Sequence, residues 1–162
     1  MKYIQGKFCR KSFIRPMVFT KTARAWNVSY IISLNQIYFQ SRVYYLDAQV
    51  KGQSEEHVVL LLHSRQFSAN SWLKLEVLHD FAQAGYRTIT VDLPGFGGSD
   101  RAEELLDTKE RVRFIERLLN IFQLNSVAVV APGYSGEFLI PFLFKSERAE
   151  RLSGWIPISA GI

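Results

Sequence analysis

Ser135 stands between Gly133 and Gly136 in the run Ala131-Pro132-Gly133-Tyr134-Ser135-Gly136. An apolar, β-branched stretch, Ser126-Val127-Ala128-Val129-Val130-Ala131, leads into it. A helical apolar pattern, Phe138-Leu139-Ile140-Pro141-Phe142-Leu143-Phe144, leads out. A serine among glycines at a strand-to-helix turn is the arrangement of a nucleophile elbow, whose tight backbone lifts the hydroxyl above the sheet. Amides at the start of the following helix then face any charge that develops beside it. The chemistry implied is attack on a carbonyl carbon with formation of an acyl-enzyme. The elbow pattern asks for a small residue two places after the serine, where Glu137 stands. The same six residues also suit an ordinary Pro-Gly turn between strand and helix, so the spacing leaves both open.

Two further stretches of polar and glycine-rich residues follow strand-like segments. His63-Ser64-Arg65-Gln66-Phe67 follows Val58-Val59-Leu60-Leu61-Leu62, an apolar run without alternation that reads as a strand buried on both faces of a parallel sheet. Asp92-Leu93-Pro94-Gly95-Phe96-Gly97-Gly98-Ser99-Asp100 follows the strand-like Tyr86–Val91. With Pro132–Gly136, three loops fall at the carboxyl ends of successive strands, the edge at which open α/β sheets bind ligands.

The elements between them alternate. Trp72, Leu75, Leu78 and Phe81–Ala82 recur at helical spacing, with Gly85 placed to end that helix. Asp107 with Glu110 suits a helix start, and Val112, Ile115, Leu118–Leu119 and Phe122 form one apolar stripe behind it. Trp155–Ser159 reads as one more strand. Ahead of all these, Gln36–Gln40 and Val43–Leu46 read as two short strands around Ser41-Arg42. Strand–helix alternation predicts an α/β fold, a mostly parallel sheet with helices on both faces.

Charge divides the chain of 162 residues in two. Residues 1–46 hold eight of the 20 Lys and Arg and none of the 15 Asp and Glu, so the remainder carries 12 basic against 15 acidic side chains, a net of −3. The net charge of +5 therefore comes from the first 46 residues. The expected folded part has no positive footprint, which argues against nucleic acid as a partner. Residues 1–35 are expected to form a basic extension outside the core, and residues 36–162 the domain. An acid-free, Arg-containing leader resembles a mitochondrial transit peptide, and it equally suits an extension of no fixed role. Cys9 is the only cysteine, which rules out an intrachain disulfide and fits a reducing compartment such as the cytoplasm. No run reaches the roughly 18 apolar residues of a membrane span.

No cofactor is expected. Pro94–Gly98 lacks the Gly-x-Gly-x-x-Gly spacing of a phosphate loop, and no Gly-Lys-Ser or Gly-Lys-Thr occurs. His57, His63 and His79 lack ligand spacing for a metal.

Leu61-Leu62-His63, Asp92-Leu93-Pro94-Gly95-Phe96-Gly97-Gly98-Ser99 and the turn around Ser135 stand in the order found in the α/β-hydrolase superfamily. More narrowly, the chain resembles the α/β-hydrolase-domain-containing protein 14 family. The stretches that carry this are Val59–His63 with Arg65, Phe67 and Trp72, Gln83-Ala84-Gly85-Tyr86-Arg87, Asp92–Gly97, Pro132 with Ser135-Gly136, and Pro141-Phe142-Leu143. The resemblance covers residues 36 to 160. It implies an α/β-hydrolase fold truncated before its last strands, with the triad acid and histidine falling beyond them. It implies Ser135 as nucleophile, the amides of Gly136 and of the loop at Arg65 as oxyanion donors, and His63 and Asp92 as loop-structural residues. A small-molecule ester or acyl compound would be the substrate. Family members tend to carry glycine where Ser64 stands, and Glu137 would oppose an oxyanion unless paired. Two functions follow: a serine hydrolase or acyl-transfer lineage, or a binding protein on a shortened hydrolase fold that no longer turns over.

Overall fold

The computed structural model describes residues 17–19, 28–38, 41–50, 57–103 and 107–159. Among the described residues seven strands form one sheet: β1 (Met17–Phe19), β2 (Val28–Tyr38), β3 (Ser41–Val50), β4 (Val58–Leu61), β5 (Arg87–Val91), β6 (Val127–Pro132) and β7 (Leu152–Ile158), in the order β1-β2-β3-β5-β4-β6-β7. The four strands β5-β4-β6-β7 run parallel to one another, and β3, β2 and β1 extend the sheet antiparallel. Leu60 of β4 lies opposite Ile89 of β5 and Val129 of β6, so the central strand pairs on both sides.

Alternation along β4 sorts the core into two layers. Val58, Leu60 and Leu62 face α3 (Thr108–Ile121) and α4 (Gly136–Lys145), where Phe114, Ile115, Leu118, Phe138 and Phe142 are buried against them. Val59 and Leu61 face α1 (Ala69–Lys74) and α2 (Val77–Gln83), against Ala69, Leu78 and Ala82. A strand sealed on both faces cannot alternate apolar with polar residues, which is why β4 is a continuous apolar run. Each such leucine contributes about 1.5–3 kcal/mol relative to exposure. Asp107 caps α3, its Oδ1 accepting from the Lys109 amide at 3.1 Å. Glu110 pairs with Arg113 one turn on.

Three elements differ from the sequence-based expectation. The stripe from Trp72 to Ala82 is two helices. Leu75 ends the first and is 68% exposed, and Glu76 turns the chain in the left-handed region at φ 63°. Ser41 and Arg42 belong to β3 and are not a turn, and the strands on either side run longer than the short pieces read from sequence. Finally, β1 and the first eight residues of β2 lie in the stretch assigned to the basic extension, yet they pair in register with the sheet: Met17 opposite Ile32, and Val28 opposite Val50. Gly85, at φ 94°, closes α2 as expected. Residues 1–16 and 20–27, on which the targeting expectation rests, lie outside the described residues.

Candidate functional site

The three loops meet at the carboxyl edge of β4, β5 and β6. Asp92, fully buried, holds two of them. Its Oδ1 accepts from the amide of Ala69, which opens α1, and its Oδ2 accepts from Gly98 at 2.8 Å. Ser99 Oγ donates to the Asp92 carbonyl at 2.7 Å and closes the same loop. Gly97, at φ 52°, is required here, because a Cβ would lie 2.0 Å from Asp92 Oδ2.

His63 is 1% exposed and has both ring nitrogens engaged. Nε2 accepts from the Leu93 amide at 2.8 Å, so Nδ1 must carry the proton, and it donates to the Ser64 carbonyl at 2.8 Å. Burial holds its pKa below the ordinary histidine value. The Ser64 hydrogen bond and the Asp92 carboxylate, 4.0 Å from Nε2, oppose that shift without overcoming it. The imidazole is thus a neutral strut between the loops after β4 and β5, with no nitrogen left to take a proton from a substrate or a serine.

At the end of β6 the backbone turns at Gly133, φ 50°, makes one 3-10 turn over Gly133–Ser135 and enters α4. Ser135 has ordinary helical dihedrals, φ −64° and ψ −17°, and no exposed surface. Its Oγ donates to the Pro132 carbonyl at 2.8 Å. The Ser135 hydroxyl, expected to stand above the sheet at an elbow, is therefore turned back to the end of β6. The left-handed residue at the turn, where an elbow holds its nucleophile, is Gly133. The Gly136 amide, expected to be an oxyanion donor, is taken up in the turn by the Gly133 and Tyr134 carbonyls. The Arg65 amide has no acceptor among the described residues.

Above the turn lies a cleft of about 470 Å³ lined by Ser64, Arg65, Gln66, Gly133, Tyr134 and Glu137. Ser135 does not line it. The Arg65 guanidinium lies 4.1 Å over the Tyr134 ring, a cation–π contact, and Tyr134 packs on Phe96 and Phe138. Glu137 is paired, as the sequence requires of it if an anion is to sit nearby: Arg111 Nη1 donates to it at 2.6 Å and Arg65 Nη2 at 3.4 Å. Sequence reasoning missed Arg111, which reaches the site from α3. No local pattern connects it to a residue 26 positions on.

Comparison with known proteins agrees with this architecture. Residues 57–131 match the family model for the alpha/beta hydrolase fold. The mouse protein ABHD14A is 32% identical over 142 residues, spanning 86% of this chain and 56% of the mouse protein. The chain belongs to the α/β-hydrolase superfamily. Within it, rat ABHD14B, named as a candidate protein-lysine deacylase, is 36% identical over 110 residues, covering 67% of this chain and 51% of the rat protein. The chain spans about half the length of the curated relatives it matches. Among solved structures, Cfl2 from Burkholderia cenocepacia superposes with a TM-score of 0.73 at 20% identity, over 91% of this chain and 46% of that one. Carboxylesterase CesB from Bacillus subtilis superposes at 0.69 and 17%, over 83% and 45%. These structural neighbours share the fold. Among the described residues no helix is long and apolar enough to cross a membrane, and no group of three or more His, Cys, Asp and Glu could hold a metal ion.

Proposed function

We propose that this chain is a binding member of the α/β-hydrolase superfamily, which holds a small acyl or carboxylic ligand at the elbow edge of the sheet without turning it over. The observation that carries the reading is the residue at the turn: Gly133 takes the left-handed conformation and offers no nucleophilic atom. Two further facts support it. Ser135 Oγ is buried and spent on the Pro132 carbonyl, and the His63 imidazole is spent on two loop hydrogen bonds. A serine without a neighbouring base is a weak nucleophile, and a buried one is also out of reach.

The second reading is hydrolysis or acyl transfer through Ser135. Membership of a hydrolase superfamily and likeness to a relative named as a candidate deacylase favour it. It requires Ser135 to leave the Pro132 carbonyl and turn into the cleft. Turnover of an activated ester by the wild type and by Ser135→Ala separates the two. Equal rates, at the level of a buffer blank, support the binding reading. Enzyme-like turnover lost in Ser135→Ala supports the second.

A further inference from the structure

The loop after β4 and the turn after β6 are fitted to each other at one point. A Cβ built on Gly133 would lie 2.6 Å from Ser64 Oγ, well inside normal contact, and a tight 3.2 Å from Ser64 Cβ. The Ser64 hydroxyl therefore occupies the space into which a side chain at the elbow would project. It makes no hydrogen bond to any described residue, and Ser64 lines the open cleft. A hydroxyl open to the cleft over a bare glycine leaves room for a ligand oxygen to meet it.

Arg65 and Arg111 both pair with Glu137. The shorter bond, 2.6 Å, belongs to Arg111, whose side chain is 16% exposed. The Arg65 side chain is 65% exposed and 3.4 Å away. Glu137 keeps its closer partner if Arg65 turns to something else. An exposed pair of that length is worth little. The guanidinium, by contrast, presents a planar fork of donors that suits a carboxylate.

We infer that Ser64 and Arg65 form a seat for a ligand carboxylate directly over Gly133, so that the cleft recognises the acid rather than the ester or amide of an acyl compound. This rests on the binding reading above and names its ligand class. The Ser64 hydroxyl donates to one carboxylate oxygen, and Arg65 supplies the countercharge from above the Tyr134 ring. Glu137 tunes the seat by competing for Arg65. The bare elbow is what makes the seat possible, since a side chain at position 133 would fill it.

The test uses butyrate and its neutral isostere butyramide, titrated into the full chain and followed by ligand-observed NMR. Butyrate is expected to bind at least about tenfold more tightly than butyramide, the discrimination that a charge-assisted hydrogen bond gives. Arg65→Gln and Ser64→Ala should each weaken butyrate, and Arg65→Gln should abolish the preference over butyramide. Glu137→Gln should tighten butyrate, because it releases Arg65 and removes the nearby negative charge. Equal binding of acid and amide, no butyrate binding at all, or an unchanged preference in Arg65→Gln would overturn the inference. So would weaker butyrate binding by Glu137→Gln with its thermal midpoint intact. Turnover through Ser135 would fail the binding reading instead, and it is read separately on the ester, with Ser64 and Arg65 unchanged.

Discussion

Ser135 Oγ donates to the Pro132 carbonyl at 2.8 Å, three residues back across the turn that links β6 to α4. The bond ties the first turn of the helix to the last residue of the strand and is shielded from water. Ser135→Ala should therefore behave as the loss of a structural hydrogen bond, about 1 kcal/mol. In a domain of this size that is roughly 2–4 °C in thermal midpoint. Butyrate affinity should not change, because the side chain does not reach the cleft.

His63 makes stability depend on pH. Its folded pKa is lowered by burial, so between that value and the unfolded value of about 6.5 the unfolded chain binds the extra proton. Its contribution is complete above about pH 6.5 and is lost as pH falls below it, at up to about 1.4 kcal/mol per pH unit for one proton. Urea unfolding at pH 7.5 and 5.5 should show wild type losing more than His63→Gln, which will be less stable at both. Equal losses would mean that His63 takes up its proton in the folded state at no cost.

Gly95 and Gly97 look alike in sequence and should not behave alike. At Gly95, φ 86°, a Cβ would meet only Arg101 Cγ at 3.8 Å, an ordinary contact, so alanine costs only the backbone strain, about 1–3 kcal/mol. At Gly97 the same strain is joined by overlap with the Asp92 carboxylate at 2.0 Å. Gly97→Ala should lower the thermal midpoint clearly more than Gly95→Ala and should release the Ala69 and Gly98 amides, visible as faster amide exchange at both.

Glu76 is an exposed residue with a left-handed backbone at the break between α1 and α2. Glycine adopts that conformation without steric cost, so Glu76→Gly should stabilise the chain by about 0.5–1 kcal/mol even though it deletes a side chain. A lower thermal midpoint would show that the Glu76 side chain contributes more than its strain removes.

The legible part of the fold was what burial writes into composition. β4 and β6 are sealed on both faces and read as unbroken apolar runs, and α3 shows one stripe because only one face meets the sheet. The glycine-rich loop after β5 was legible as a loop because Gly95 and Gly97 both take positive φ. Leu75 fits the helical period of its neighbours, and a left-handed glutamate has no residue-type signature, so the helix break was hidden. At the elbow the sequence presents glycine on both sides of Ser135, and nothing in the spacing says which residue takes the left-handed turn. The Ser64–Gly133 fit and the Arg111–Glu137 bond join residues brought together by the sheet edge and by the packing of α3 on α4, which pairwise spacing does not encode.

The elbow presents glycine, with Ser135 buried behind it. Treating the full chain with an excess of a fluorophosphonate, a serine-directed electrophile, and mapping the adduct by peptide mass spectrometry tests it directly. No adduct is expected on Ser135 under conditions that label a control serine hydrolase to completion. A stoichiometric adduct on Ser135, absent after prior unfolding and lost in Ser135→Ala, would contradict it.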